Sequence, residues 1–216
     1  MELIYSSSNH SPNAKPTYFM GLDLGQAQDY TALAILEHHK AGAGARTYLC
    51  RHLQRWPLKT SYPAIVADVS RIVRSPELKG GQAQSTLAVD ATGVGAPVID
   101  MFRAAHLPVY LQPIQITGGS EVTSDGDVSR VPKRDLVSSS QVALQTGRLK
   151  IAPELPDAQT LVRELQNFQV KINLETAHDS YGAWREGIHD DLILAVALAL
   201  WVAESSVSAE LFIFRR

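Results

Sequence analysis

The stretch Met20-Gly21-Leu22-Asp23-Leu24-Gly25 decides how the rest of the sequence is interpreted. One carboxylate interrupts the apolar residues at positions 18–24, and a turn containing Gly25 leads into a second apolar run at positions 29–36. This pattern predicts two neighbouring strands joined by a short connection. An ionised carboxylate in a buried strand is costly unless a cation lies against it, so Asp23 indicates a metal ion or a basic partner. It could equally cap the turn by accepting backbone N–H bonds.

A second carboxylate, Asp90, also stands next to an apolar strand segment further along the chain. A third strand at residues 46–53 completes a meander, and apolar residues at helical spacing predict a helix at residues 61–73. The next strand, residues 85–89, ends at Asp90, and Gly93-x-Gly95 then leads to a helix that starts near Pro97. Carboxylates at the ends of parallel strands face the crevice where ligands bind. The two glycines could cradle a phosphate or could simply permit the strand-to-helix turn.

Residues 109–175 predict alternating strands and helices. We expect a strand at residues 109–116, a mobile polar loop through residue 129, a helix at 132–145 and a half-exposed strand at 148–151. An amphipathic helix follows at residues 158–168, with Leu161, Val162, Leu165 and Phe168 facing inward, and then a strand at residues 169–174.

Basic residues are concentrated between residues 130 and 150. Five lysines and arginines stand there against one acid, Asp135, and they include Lys133, Arg134, Arg148 and Lys150. Such an excess could follow a phosphate backbone, or it could be a solvated helix face and an edge strand.

The third acidic signal precedes the most apolar segment of the chain. His189-Asp190-Asp191 leads directly into residues 192–202, which are apolar on every side and therefore predict a helix buried against the sheet. Acids at a helix start gain from the helix dipole, which explains one of them without any function. Because the helix is so apolar, we expect at least one of the two aspartates to point inward.

Composition limits the class of protein. A chain of 216 residues, 45% apolar and 19% charged, fits one globular domain, and a formal charge of −2 excludes nucleic-acid binding by bulk positive charge. A single cysteine, Cys50, excludes an internal disulfide framework and fits a reducing compartment. No signal peptide or long apolar run is found, so we expect a soluble cytoplasmic protein without a membrane partner. Residues 1–16 are expected to be a flexible leader or linker remnant, and residues 17–216 the folded domain.

The three acidic positions could converge beside one sheet. Hard oxygen ligands without nearby cysteines suit Mg²⁺ or Mn²⁺ better than zinc. Two such ions, held roughly 3.5–4 Å apart, can activate a water and stabilise the leaving oxygen in phosphodiester cleavage.

At this point the sequence resembles a known family. The order of strands, meander and helices resembles the ribonuclease H-like fold, an α/β fold with a mixed central sheet flanked by helices. Within it, three stretches are similar to the nuclease domain of tailed-phage terminase large subunits: Gly21-Leu22-Asp23 with Asp29-Tyr30-Thr31-Ala32, Val89-Asp90-Ala91-Thr92-Gly93-Val94-Gly95, and Gly187-Ile188-His189-Asp190-Asp191-Leu192. The segment from residue 133 to residue 151 is also similar, and the resemblance extends over residues 18–203.

The resemblance implies roles for individual residues. It implies that Asp23, Asp90 and one of the terminal pair, with Asp191 favoured over Asp190, are catalytic metal ligands for Mg²⁺ or Mn²⁺, with two ions expected. Asp29 would be a supporting carboxylate or a turn cap, and His189 would orient a ligand or a phosphate, or simply begin the helix. Lys133, Arg134, Arg148 and Lys150 would contact DNA.

The expected function is a metal-dependent endonuclease that cuts double-stranded DNA with little sequence specificity during viral genome packaging. The chain lacks a Gly-x4-Gly-Lys-[Ser/Thr] phosphate loop, so the packaging ATPase is expected to be a partner, together with the portal and the small terminase subunit. Alternatives are a Holliday-junction resolvase-like nuclease, an ATP-binding domain of the actin and sugar-kinase type, and a silent DNA-docking module.

Overall fold

The computed structural model describes residues 16–25, 28–40, 46–78, 84–93, 96–175 and 189–213. Within these residues eight strands form one sheet: β1 (Thr17–Asp23), β2 (Ala32–Lys40), β3 (Arg46–Arg55), β4 (Thr86–Asp90), β5 (Tyr110–Thr117), β6 (Thr123–Asp125), β7 (Val128–Pro132) and β8 (Leu149–Ile151). Five α-helices accompany them: α1 (Tyr62–Val73), α2 (Ala96–Ala104), α3 (Lys133–Gln145), α4 (Ala158–Glu175) and α5 (Asp191–Ile213).

The sheet is mixed, with the strand order β6-β7-β5-β4-β1-β2-β3-β8. The antiparallel meander of β1, β2 and β3 confirms the prediction from the first apolar runs. On the other side of β1, strand β4 runs parallel to it, and β5 continues the parallel arrangement. Because parallel strands end at the same edge, β1 and β4 finish side by side. The predicted α/β fold with a mixed sheet flanked by helices is therefore confirmed.

Two separate cores cover the two faces of the sheet. One core lies under α1 and α2. The apolar residues of each helix fall on the face toward the sheet, as the helical spacing predicted. The other core lies between the sheet and α5, with contributions from α3 and α4. Alternation along β1 sends Phe19 toward α5 and Met20 toward α1, so this central strand serves both cores.

Helix α5 packs directly on the backbone of β1. A methyl group added at Gly21 would lie 1.9 Å from the carbonyl oxygen of Ala195 and 2.7 Å from the backbone nitrogen of Ala199. Glycine on the strand and alanines on the helix are therefore what permit the close approach of the two backbones. The same contact fixes the start of α5 relative to the end of β1.

The polar segment predicted as a mobile loop is a β-hairpin instead. Strands β6 and β7 pair antiparallel, and β7 also pairs parallel with β5, so the hairpin extends the sheet. Gly126 adopts a φ of 61° at the turn, which glycine accepts without strain. The overlooked signal was Gly126-Asp127, the two residues between the paired Asp125 and Val128, because glycine followed by aspartate is typical of two-residue hairpin loops.

Helix α4 is longer than predicted. The strand expected at residues 169–174 is wrong, because the helix continues to Glu175 with no glycine or proline to end it. Val162 was expected to face inward but is 46% exposed, whereas Leu161 is buried and Leu165 packs against the core. The side chain of Phe168 and nearly all of the predicted leader lie outside the described residues.

The described helices include none with the length and apolarity needed to cross a membrane.

Candidate metal centre

Carboxylates from three separate elements lie at one edge of the sheet. Asp23 is the last residue of β1, Asp90 is the last residue of β4, and Asp191 is the first residue of α5. Asp23 follows Phe19 and Gly21 on the α5 face, and Asp90 follows Ala88 on the same face. All three acids are buried, at 8%, 8% and 3% exposure respectively. The structure thus brings together the acids that the sequence places far apart.

Local hydrogen bonds explain why the two strand ends present their acids in this way. The backbone N–H of Thr92 donates to Asp90 Oδ1 at 2.8 Å, and the Thr92 hydroxyl accepts from the backbone N–H of Ile116 at 2.8 Å. After β1, the hydroxyl of Thr31 bonds both the N–H and the C=O of Gly25, each at 3.2 Å. These contacts turn the backbone back immediately after each of the two strands. Asp23 and Asp90 therefore lie at the edge of the sheet rather than inside it.

The acids interact strongly with one another. Burial raises the pKa of Asp23 well above its usual range, and the charges of Asp90, Asp191 and Asp190 raise it further. Burial also raises the pKa of Asp90, against the opposing effects of hydrogen bonds from Thr92 and Asp23 and of the charge of Lys133. Asp190 is half-buried, and its carbonyl accepts the α5 bond from Leu194 N–H at 2.9 Å. Carboxylates gathered in this way favour either a shared proton or a bound cation.

A second group of possible ligands shares Asp191 with the first. Ligand atoms of Asp29, His189 and Asp191 all lie within 4.8 Å of one another, and His189 Nδ1 is 3.9 Å from Asp191 Oδ2. Both of these buried atoms lack a hydrogen-bond partner among the described residues. Burial raises the pKa of Asp191 to about 6, with Arg55 acting in the opposite direction. Because unsatisfied buried oxygens are costly, this donor set fits a hard divalent cation.

The predicted DNA-binding residues divide into two places. Lys133 and Arg134 begin α3, at the same edge as the acids, and Lys133 is close enough to act on the charge of Asp90. Arg134 is half-exposed, lies 3.5 Å from Asp135 and donates to the carbonyl oxygen of Ser120. These two residues are therefore near the acidic group.

Arg148 and Lys150 are further from the acids. Arg148 precedes β8 and pairs with Glu204, which lies about 20 Å along α5 from Asp191. Lys150 is exposed on β8, the strand at the opposite edge of the sheet from β6 and β7. The structure does not bring the four basic residues together in one cluster.

Sequence reasoning missed two charged residues beside Asp191, Arg55 and Glu164. Arg55 ends β3, and Ala32 of β2 lies between Arg55 and Asp23 in the strand register. Its Nη1 atom is 3.2 Å from Glu164 Oε1, and its Nε atom is 4.0 Å from Asp191 Oδ2. A signal was present in both cases: Arg55 follows the buried Leu53 by two residues, and Glu164 follows the buried Leu161 by three.

The chain is similar in fold to solved structures of terminase nuclease domains. Over 91% of its length it is similar to the human cytomegalovirus terminase nuclease domain, in a form described as soaked with Mn and bound to an inhibitor, at 17% identity, 86% coverage of that chain and a TM-score of 0.60. It is likewise similar to the large terminase nuclease from thermophilic phage G20c, at 18% identity, with 92% and 90% of the two chains covered and a TM-score of 0.55.

A larger protein contains a similar domain. The HK97 bacteriophage large terminase matches 87% of this chain at 16% identity and a TM-score of 0.50, and the match covers 40% of that protein. Compared by sequence, the chain matches no protein-family model and no curated protein. The predicted fold, that of terminase nuclease domains, is confirmed.

Proposed function

We propose that this protein is a divalent-metal-dependent endonuclease that cleaves double-stranded DNA with little sequence specificity. The observation that carries the proposal is the convergence of Asp23, Asp90 and Asp191 at one edge of the sheet, where each is buried beside other acids. The likeness of the fold to terminase nuclease domains supports a nuclease role.

Asp23, Asp90 and Asp191 would hold Mg²⁺ or Mn²⁺, with Asp190 beside them. When bound, the cations supply Lewis acidity, which lowers the pKa of a water and stabilises the leaving oxygen of the phosphodiester. Asp191 belongs both to the group around Asp23 and to the group with Asp29 and His189, so two ions sharing Asp191 would satisfy the donors of both groups. Asp29 and His189, which are more exposed than Asp191, would then act as ligands or as groups that orient a ligand.

The substrate would be held through its phosphates. Lys133 and Arg134 begin α3 at the acidic edge and would contact the strand being cut. Arg148 and Lys150 would contact the duplex further from the cleavage site. Phosphate contacts carry no sequence information, which accounts for the low specificity, and they make affinity fall steeply with salt.

The biological setting proposed is viral genome packaging. In this proposal the domain works beside a packaging ATPase, a portal and a small terminase subunit in the host cytoplasm; its similarity to part of the HK97 large terminase supports a terminase setting. Co-purification with a separately produced ATPase domain would test this arrangement.

Plasmid nicking and linearisation test the enzymatic proposal. With Mg²⁺ or Mn²⁺ present, the wild-type protein should cut, and Asp23→Asn and Asp90→Asn should reduce the rate about 100- to 1000-fold, as expected when a group that stabilises the transition state is lost. Asp100→Asn is the matched control, because Asp100 is exposed on α2 and pairs with Arg103. Unimpaired cutting by both site variants would remove these residues from the mechanism.

Substrate preference distinguishes the proposed endonuclease from the alternative functions. A linear duplex should be cut at least as fast as a four-way junction, whereas a strong preference for the junction would favour a resolvase. Tight ATP binding without DNA cleavage would instead favour the ATP-binding alternative, and metal-dependent melting without nicking would favour the silent docking module.

A further inference from the structure

Arg55 is held at the edge of the site from three sides. Its guanidinium lies 3.7 Å from the centroid of the Tyr30 ring, 3.2 Å from Glu164 and 4.0 Å from Asp191. The side chain is 16% exposed, so little of it faces solvent. Guanidinium groups suit such a position because the planar fork can bond two acids while its face stacks on an aromatic ring. One side chain of β3 thereby contacts the β1–β2 connection, α4 and α5.

Glu164 completes the connection from α4. It is 4% exposed, and its Oε2 atom accepts the backbone N–H of Ile193 at 3.0 Å while Oε1 accepts from Arg55. The first N–H groups of a helix have no partner within the helix, so Glu164 supplies one from another element. Glu164 therefore holds the first turn of α5, the turn that carries Asp191.

The acids need such a restraint because they repel one another. The Asp191 carboxylate shares this edge of the sheet with the buried carboxylates of Asp23 and Asp90, so repulsion between like charges would favour its turning away from them. Arg55, at 4.0 Å from Asp191 Oδ2, and Glu164, which accepts the N–H of Ile193, oppose that movement. The neighbouring Tyr30 ring is fixed in turn by edge contact with His189 at a centroid distance of 4.8 Å.

We propose that Arg55 and Glu164 are positioning residues that act together to hold the Asp191 carboxylate toward the metal site, without contacting DNA. This inference rests on the proposed nuclease function. It differs from a phosphate-binding role for Arg55, which would place the guanidinium on the substrate rather than between two buried acids.

Steady-state cleavage of a labelled linear duplex tests the proposal through kcat and KM separately. In Arg55→Met and Glu164→Gln we expect kcat to fall about 10- to 100-fold with KM within about threefold of wild type, because losing a group that orients a ligand costs activity on that scale. The kcat of the double variant should be no lower than that of the less active single variant, since both residues act through one network. Arg55→Lys keeps the charge but loses the planar guanidinium that faces Glu164 and Asp191 together, and should remain about fivefold or more below wild type.

Amide hydrogen exchange in the metal-free protein supplies a readout that needs no activity. The Ile193 N–H should exchange roughly tenfold faster in Arg55→Met and Glu164→Gln, as expected when a charge-assisted restraint is lost. Arg71→Met is the matched control, because Arg71 forms an exposed pair with Asp68 on α1 and should leave both exchange and kcat unchanged. If Arg55→Met fails to fold, Arg55→Lys and Glu164→Gln still decide the question.

The outcomes separate this inference from the proposed function. An inactive wild-type protein that binds no Mn²⁺ by calorimetry would overturn both the function and the positioning role. An active wild type with unchanged kcat in Arg55→Met and Glu164→Gln, or with a loss confined to KM, would overturn the positioning role alone.

Discussion

At the scale of single residues, Lys133 is the basic side chain at the start of α3 whose charge acts on Asp90. Burial raises the pKa of Asp90, and Lys133 opposes that shift. We expect Lys133→Ala to reduce the cleavage rate about tenfold and to lower the salt slope of DNA binding by about one, because one phosphate contact is lost. Lys150→Ala on β8 should change the rate less than about twofold. Equal losses in the two variants would mean that the acidic edge is not where the DNA lies.

Some of the site residues could be identified from the sequence and others could not. Asp23, Asp90 and Asp191 were identifiable because a carboxylate next to apolar strand or helix residues is anomalous wherever its partners lie. Arg55 and Glu164 were not identified, because each looks like an ordinary surface charge until its contact across the fold is known. Burial of charge on an inward position is the physical signal, but its meaning depends on tertiary contacts that a linear pattern does not contain.

At the scale of elements, the close contact of α5 with β1 is predicted to depend on Gly21. Gly21→Ala would bring a methyl group to 1.9 Å from the carbonyl oxygen of Ala195, so α5 must shift away. We expect a loss of about 3 kcal/mol in the free energy of unfolding, the upper part of the range for overpacking, measured by urea denaturation. Gly118→Ala is the control, since nothing lies within 4 Å of a methyl group there. A Gly21→Ala protein as stable as the control would contradict the tight packing.

Helices and strands with long hydrophobic patterns were predicted well. Those whose structure depends on contacts elsewhere in the fold were not. The meander and the buried α5 follow from long apolar patterns, and the structure confirms them. The strand expected at residues 169–174 is the end of α4, because a short apolar pattern is ambiguous when no glycine or proline ends the preceding helix. Strand β6 is polar and exposed throughout, so hydrophobic alternation gave no signal for the hairpin that it forms with β7.

At the scale of the whole molecule, the buried acids predict an unusual pH dependence of stability. Burial raises the pKa of Asp191 to about 6 and that of Glu164 to about 8. The folded protein holds these protons while the unfolded chain releases them from about pH 4 upward, so their contribution is complete below that pH and is lost as pH rises through 6 to 8. We therefore expect the Tm of the metal-free protein to fall between pH 5 and pH 8.

Divalent cations should reverse this loss. A bound cation replaces the protons and stabilises the folded state in proportion to its binding, so Mn²⁺ should raise Tm more at pH 8 than at pH 5. Scanning calorimetry in EDTA and in Mn²⁺ at both values measures the effect, with Asp23→Asn as the comparison that should respond less. A Tm that rises with pH in EDTA would be inconsistent with the protonated acids described above.

Anomalous diffraction from a crystal soaked with Mn²⁺ tests the central claim, that Asp23, Asp90 and Asp191 form one metal site, most directly. The account predicts at least one strong anomalous peak within about 2.5 Å of carboxylate oxygens from all three elements, a distance that covers oxygen ligation of divalent cations. Peaks confined to other parts of the molecule, or carboxylates of Asp23 and Asp90 that bind no ion at saturating Mn²⁺, would contradict it.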